Sequence, residues 1–245
     1  MKKKLSMLIA VLAIATLLAC MFAFTASAEG ETIAVTYNWH GGSVRGTVKP
    51  NEDGSYTLRT DKLSGNETVT LADGTVVNKE FYGWYDEAGN LYAPGSTVNF
   101  TKSTMLYEAY GVTVYNAQDF MKLSGHCYIK LGADITLAEK ISQEWRTHVT
   151  NLNSYTLTST ASCLAEIKRG SFVVHGSGRV VHAPATLKTS IDECAVYIYA
   201  HGYGDDDAPQ QFWIGKGVEF TTPYSAFRCG SVQRNKHPKM LLRVL

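Results

Sequence analysis

The sequence predicts an all-β protein, and two kinds of observation support this fold class. Short runs rich in Val, Ile, Thr, Tyr and Phe recur along the chain, and clusters of Gly, Asn, Asp and Pro separate them. Residues 129–137 alternate apolar and polar side chains, so one face of that strand should lie in a core and the other in solvent. Periodicity alone leaves a sandwich, a barrel and a β-solenoid equally open.

Residues 1–28 have the layout of a secretory signal peptide. Lysines occupy positions 2 to 4, residues 8–24 form an apolar run, and the small residues 26–28 (Ala-Ser-Ala) precede Glu29. Two alternatives stay open: an uncleaved membrane anchor and a lipoprotein processed at Cys20. We expect an exported protein, secreted or held at the cell surface, that meets the membrane only through this segment before cleavage.

The charge of the remaining chain excludes a general electrostatic footprint for nucleic acid. Removing the lysines at positions 2 to 4 from the 23 basic residues leaves 20 basic residues against 22 acidic residues. The distribution is uneven, because five basic residues follow Glu219, which is the last acidic residue. A tail of this kind is usually solvated, so we expect residues 229–245 to be disordered.

Four cysteines remain after cleavage: Cys127, Cys163, Cys194 and Cys229. Export permits disulfides, and four cysteines allow three pairings that the sequence cannot rank. We favour four small, partly buried side chains. Their spacing matches no zinc-binding pattern, so we expect neither a structural metal nor any other cofactor.

Two stretches have a helical pattern, and both are short. In residues 117–123, Asn116 would be the N-cap and Asp119 would place a negative charge in the first turn. Residues 139–145 form the weaker candidate. Further strands are predicted at residues 149–158, 165–175, 195–200 and 217–221.

A change of pattern near Gly111 separates a compact unit, residues 32–110, from the rest. This unit contains VTYNWHGG at residues 35–42, FYGWY at 81–85 and TMLYEAY at 104–110. In order and spacing it resembles the Listeria–Bacteroides repeat, also called the internalin B-repeat. The resemblance implies a small β-grasp-like module of bacterial surface proteins, a spacer or adhesion domain without enzymatic activity. The segment between the first two motifs is longer than is usual in that family, and only one copy is visible.

Residues 112–228 carry a second, looser resemblance. It rests on LGADITL at residues 131–137, LNSYTLTS at 152–159 and VVHGSGRV at 173–180. These motifs resemble the opening coils of a right-handed parallel β-helix in pectate-lyase-like surface proteins, with Ser154 where Gly is usual. The helix at 117–123 would cap the N-terminal end, and nothing comparable follows residue 228. We therefore expect a short β-helix from a truncated reading frame, marginal in stability and prone to association.

One acidic cluster lies in a Gly-rich loop: Asp205, Asp206 and Asp207. Polysaccharide-cleaving β-helix relatives need clustered carboxylates, with calcium in lyases or paired acids in hydrolases. The partner motifs of pectin hydrolases do not follow this loop, so we expect a solvated turn, with calcium as the weak alternative and no catalytic residue. Three histidines near strand ends have no common face and are expected to be isolated surface residues: His175, His182 and His201.

The aromatic residues of segment 81–85 suggest a carbohydrate surface, because exposed rings stack on sugars. In a small module, aromatic side chains also supply most of the buried area. Strict alternation predicts that Trp84 joins Tyr37 and Leu106 in the core, and that residues 81 and 85 turn outward or are covered by a partner module. This leaves three candidate ligand-binding residues: Phe81, Tyr85 and Tyr92.

Together these features predict a non-enzymatic secreted or cell-surface protein of a bacterium that acts in adhesion or as a spacer. The expected partners are host or cell-wall glycans or surface proteins, and no nucleic acid. Two alternatives stay open: a carbohydrate-active, pectate-lyase-like β-helix enzyme and a carbohydrate-binding accessory module.

Overall fold

The computed structural model describes residues 32–38, 44–143, 147–167, 170–185, 194–200, 211–223, 225–231 and 241–244. Strands dominate these residues, which confirms the all-β class. The first nine strands are β1 Val35–Asn38, β2 Val44–Val48, β3 Tyr56–Thr57, β4 Thr68–Thr70, β5 Val76–Asn78, β6 Glu80–Asp86, β7 Leu91–Tyr92, β8 Thr97–Val98 and β9 Thr104–Val114.

Helix α1, Ala117–Leu123, follows β9 and precedes the second group of strands. The remaining strands are β10 Tyr128–Leu131, β11 Ile135–Leu137, β12 Ile141–Gln143, β13 His148–Asn151, β14 Thr156–Ser159, β15 Ala165–Ile167, β16 Ser171–His175, β17 Gly178–His182, β18 Cys194–Ala200, β19 Gln211–Ile214, β20 Val218–Thr221, β21 Ser225–Ser231 and β22 Leu241–Val244.

From β10 onward, each strand pairs with the strand three places further along the chain. The three strand orders are β9-β10-β13-β16-β19-β22, β11-β14-β17-β20 and β12-β15-β18-β21. All of these pairings are parallel, and none contains a shift of register. Successive turns of the chain therefore lie directly on one another, and we call these three sheets the parallel stacks.

One apolar core lies within the parallel stacks. The predicted burial in residues 129–137 is confirmed, because Ile129, Leu131, Ile135 and Leu137 are all buried there, but the run forms two strands, β10 and β11, rather than one. Residues from successive turns also stack on each other. The rings of Phe172 and Phe212, for example, have centroids 5.5 Å apart. The apolar face of each turn is thus covered by the next turn.

Helix α1 confirms the predicted start at Asn116. The Asn116 side chain accepts a hydrogen bond from Asp119 N at 2.8 Å, which satisfies one of the otherwise unpaired amides of the first turn. Phe120 and Leu123 enter the core of the parallel stacks. The second predicted helix, residues 139–145, is wrong where the structure describes it, because β12 there pairs with β15 and buries Ile141.

The first nine strands form a compact unit around Trp84, which was predicted to lie in the core. Strand β1 pairs with β2 antiparallel and with β9 parallel, while β6 pairs with β9 antiparallel. Trp84 is fully buried together with Tyr37 and Leu106, as the alternation predicted. Its indole Nε1 donates to the Arg59 carbonyl at 3.0 Å, so the polar atom of this core residue is satisfied.

Strand β9 belongs to both halves of the chain. Its first residues pair with β1, its middle residues pair with β6, and Gly111–Val114 pair with β10 of the parallel stacks. The change of pattern near Gly111 therefore marks the place where one continuous strand changes partners. The sheet β2-β1-β9-β10-β13-β16-β19-β22 runs through both halves without a break.

The long segment before Phe81 supplies a second contact between the halves. Strands β4 and β5 form a hairpin whose turn lies against α1. Ala72 N donates to Asp119 Oδ1 at 2.7 Å, and Lys122 Nζ donates to the Leu71 carbonyl at 2.7 Å. Val69 and Val77 of this hairpin also pack against the core of the parallel stacks.

The predicted disordered tail is wrong in its described parts. Residues 229–231 continue β21, and β22 pairs in parallel with β19. The apolar residues Leu241, Leu242 and Val244 give this segment a strand pattern that the basic residues around it obscured.

Candidate functional site

The three candidate ligand-binding residues lie on the hairpin of β6 and β7. A β-bulge interrupts the pairing of β6 with β9 between Phe81 and Gly83, where Gly83 has a φ of 123°. A Cβ at Gly83 would lie 2.1 Å from the Tyr92 carbonyl oxygen, so this position requires glycine. The extra residue puts Phe81 on the same face as Trp84 and Tyr85 on the opposite face.

The prediction that Phe81 and Tyr85 share an outward face is therefore wrong, because it assumed strict alternation through the bulge. Phe81 is half-buried, and its ring meets Trp84 edge-on with centroids 5.2 Å apart. Tyr92 is also half-buried, and its hydroxyl donates to Asp86 Oδ2 at 2.7 Å. The three candidate rings form no common platform on which a sugar could stack.

Tyr85 has no exposed surface, because the parallel stacks of the same chain cover it. Its ring stacks on His175 of β16, with centroids 4.9 Å apart and an angle of 13° between the rings. Tyr107 and Tyr128 lie at 5.5 and 5.8 Å from it, and Trp213 meets Tyr107 edge-on at 5.7 Å. We call these five residues the aromatic junction: Tyr85, Tyr107, Tyr128, His175 and Trp213.

The turn between β6 and β7 also contacts the parallel stacks. Lys216 N donates to the Ala88 carbonyl at 3.1 Å, and His175 Nδ1 donates to the Gly89 carbonyl at 3.2 Å. A Cβ at Gly89 would lie 2.7 Å from His175 Cβ and 2.9 Å from Gly215 Cα. Glycine is therefore needed for this approach. The turn at residues 86–90 is an internal contact rather than an exposed hairpin end.

The histidines expected at the surface are buried instead. His175 and His182 are 0% and 1% exposed. Tyr85 and the turn at residues 86–90 cover His175, and His182 hydrogen-bonds to the Ala161 carbonyl and to Thr222 Oγ1. Burial in an apolar setting lowers the pKa of His175 to about 4. His148, which stacks on Phe172, is also fully buried, and burial lowers its pKa to about 3. His201 lies outside the described residues.

These neutral histidines predict that the protein is less stable in mild acid. A histidine in the unfolded chain has a pKa of about 6.5. Below that pH the unfolded chain therefore binds protons at these histidines, whereas in the folded chain they stay neutral. The free energy of unfolding should have its full value above about pH 6.5. Below that pH it should fall by about 1.4 kcal/mol per pH unit for each of His148 and His175, until the pKa of that histidine in the folded chain is reached. Urea unfolding at pH 7.5 and 5.0 measures this difference.

A matched pair of variants assigns the pH effect. His148→Gln should reduce the difference between the two pH values by about 2 kcal/mol, because one buried titrating group is removed. Leu152→Ala should lower stability equally at both pH values and leave the difference unchanged, because it removes a fully buried side chain that does not titrate. Equal stability of the unmodified chain at pH 7.5 and 5.0 would contradict the prediction.

The acidic cluster of the sequence, Asp205 to Asp207, lies outside the described residues. Within the part of the chain that the structure describes, no three His, Cys, Asp or Glu side chains come together as a metal site. Among the described residues that line a shallow groove, Glu139 is the only acid, and Lys140 is ion-paired with Glu166 at 2.6 Å. The described lining of this groove therefore contains no pair of acids of the kind that glycoside hydrolysis needs.

Comparison with known proteins gives no relative. No family model matches the chain, and no curated protein or solved structure is found to be similar to it. Across the described ranges, no helix is long and apolar enough to span a membrane. Function therefore has to be inferred from the sequence motifs and from the aromatic junction.

Sequence reasoning missed four of the five junction residues. Tyr107, Tyr128, His175 and Trp213 are spread over more than one hundred positions, and only the parallel stacking of β9, β10, β16 and β19 brings them to one face. One signal was available in the sequence. A glycine inside an aromatic strand, as at Gly83, often marks a bulge that reverses which face the following residues occupy.

Proposed function

We propose that this protein is exported and works at a bacterial surface as a non-enzymatic adhesion or spacer protein. In this proposal the first unit is a β-grasp-like module, and the parallel stacks are a short right-handed parallel β-helix. The parallel register of every third strand and the apolar core between the three sheets support the second assignment. The parallel pair β1–β9, flanked by antiparallel β2 and β6, supports the first.

The observation that carries the proposal is the construction of the junction. A spacer has to hold its ends at a fixed separation, so its units must not rotate about a flexible linker. Here strand β9 passes from one unit to the other, and the buried ring of Tyr85 is held between them. Buried aromatic surface joins the units. Tyr85 is fully buried, and Phe81 and Tyr92 are half-buried against the core around Trp84.

Export can be tested with the full chain carrying an epitope tag at its C-terminus in a bacterial host. We expect the tagged protein outside the cytoplasm, beginning at Glu29 when its N-terminus is sequenced. The double variant Leu12→Arg/Ile14→Arg should remain in the cytoplasm, because charges break the apolar run. A native chain that stays in the cytoplasm with residues 1–28 attached would contradict the proposal.

The non-enzymatic part of the proposal needs a separate assay. The purified chain is incubated with pectin and related uronic-acid polysaccharides, with and without calcium, and new reducing or unsaturated ends are measured. We expect no product above the level of the Asp206→Ala variant. Cleavage by the native chain that Asp206→Ala abolishes would overturn the proposal in favour of a carbohydrate-active enzyme.

A further inference from the structure

Two cysteines that are thirty-one positions apart in the chain lie side by side in the parallel stacks. Strand β15 pairs with β18 so that Ala165 lies opposite Val196. The pairing extends backward, because Leu164 N donates to the Ala195 carbonyl at 2.8 Å. Counting back one more residue on each strand puts Cys163 opposite Cys194.

The distance between the two strands suits a disulfide. Neighbouring strands lie about 4.8 Å apart, and disulfides join residues whose Cα atoms are about 4.4–6.8 Å apart. Cys163 Sγ lies 3.3 Å from the carbonyl oxygen of Ala195, the residue that follows Cys194. The Cys163 thiol is therefore directed toward the strand that carries Cys194.

The two thiols differ in the way that stepwise oxidation requires. Cys163 is partly exposed, whereas Cys194 is only 3% exposed. The pKa of the Cys163 thiol is lowered, first because the Cys194 side chain hydrogen-bonds to it and outweighs the opposing effect of burial. An oxidant can thus reach Cys163, which is the better nucleophile of the two. Cys194 lies beside it, where it can react in the second step.

In the described strand pairings, neither of the other two cysteines lies opposite a cysteine. In the register of β10, Cys127 precedes Tyr128 and falls beside Tyr110 and His148 rather than beside a cysteine. Burial raises the pKa of its thiol to about 11. Cys229 lies opposite Ile198. Of the three pairings open to four cysteines, the structure favours the one that joins Cys163 to Cys194.

We propose that Cys163 and Cys194 form a disulfide that joins two successive turns of the parallel stacks. This proposal rests on the proposed export, because an oxidising compartment supplies the disulfide-containing oxidant. The Cys163 thiolate attacks the oxidant's disulfide and releases one thiol. The Cys194 thiol then loses its proton, attacks Cys163 Sγ and expels the second thiol of the oxidant. The two cysteines lose two electrons and two protons, and the oxidant's disulfide is reduced to two thiols.

The disulfide would close residues 163–194, which include β15, β16 and β17, into a loop. A closed loop restricts the unfolded chain more than the folded one, so oxidation should stabilise the protein. We expect oxidation to raise the midpoint of thermal unfolding by about 5 °C. The effect should disappear in Cys163→Ser, whose hydroxyl can keep the hydrogen bond that the thiol gives to the Ala165 carbonyl at 3.0 Å.

The test equilibrates the purified, reduced chain with oxidised glutathione, blocks the remaining thiols with a maleimide and maps the peptides by mass spectrometry. Trypsin cuts after Lys168 and Lys188, so the two cysteines fall on different peptides. We expect a cross-linked pair containing Cys163 and Cys194, with Cys127 carrying the maleimide. The control Cys127→Ala should give the same cross-linked pair.

Two results would overturn the disulfide. One is a cross-link of Cys163 to Cys127 or Cys229, and the other is maleimide on both Cys163 and Cys194 after excess oxidant. Because this test uses purified protein, its outcome does not depend on export. A chain that oxidises as expected but stays in the cytoplasm would refute the proposed export alone.

Discussion

Gly111→Ala is expected to remove much of the stability of the whole chain. A Cβ at this position would lie 1.7 Å from the Tyr128 carbonyl oxygen and 2.5 Å from its carbonyl carbon. Both atoms belong to the backbone of β10, so no side chain can turn aside to make room. The strands β9 and β10 would have to separate where one half of the sheet joins the other. We expect a loss of about 3 kcal/mol in urea unfolding.

Gly65→Ala is the matched control for this substitution. No atom lies within 4 Å of a Cβ placed at Gly65, and its φ is not positive. Its effect should stay within about 0.5 kcal/mol. If Gly111→Ala unfolds at the same urea concentration as Gly65→Ala, β9 does not pass from one half to the other as described.

Tyr85→Ala should be about as damaging as the loss of a large core residue. Its ring is fully buried between β9 and β16, where it contacts Tyr107, Tyr128 and His175. Removing it leaves a cavity that the stacked strands on both sides cannot close. We expect a loss of about 4 kcal/mol, measured by urea unfolding at pH 7.5.

Tyr115→Ala is the matched control, because it removes a tyrosine side chain that lies at the surface. Tyr115 is 65% exposed and follows β9 directly. Its substitution should cost less than about 1 kcal/mol. A Tyr85→Ala variant that is as stable as Tyr115→Ala, and that loses binding on a glycan array, would restore the interpretation of Tyr85 as an exposed ligand-binding residue.

The sequence was most informative where short-range pattern decides structure. The Asn116 cap, the buried apolar residues of 129–137 and the burial of Trp84 all depend on local sequence pattern, and all were predicted. The second helix was wrong because the pattern of residues 139–145 is short, and pairing of β12 with β15 overrides weak helix propensity.

The candidate site depends on contacts that no local pattern contains. The bulge at Gly83 puts Phe81 on the same face as Trp84, and alternation cannot anticipate a residue that is inserted into the pairing. His175 was expected at the surface because it lies near a strand end and its spacing from the other histidines gives no common face. It is buried because the turn at residues 86–90, which lies almost ninety positions earlier, covers it. Only the stacking of distant strands reveals the aromatic junction.

The central claim is that the two halves form one cooperative structure, and two single-tryptophan reporters test it most directly. One variant carries phenylalanine at positions 39, 145 and 213 and keeps Trp84. The other carries phenylalanine at positions 39, 84 and 145 and keeps Trp213, so each half has its own reporter. In each variant, urea unfolding is followed by tryptophan fluorescence and by circular dichroism of the β-structure. A cooperative structure predicts that the two signals coincide in both variants. A change in Trp84 fluorescence at a urea concentration where most of the circular dichroism persists would contradict it.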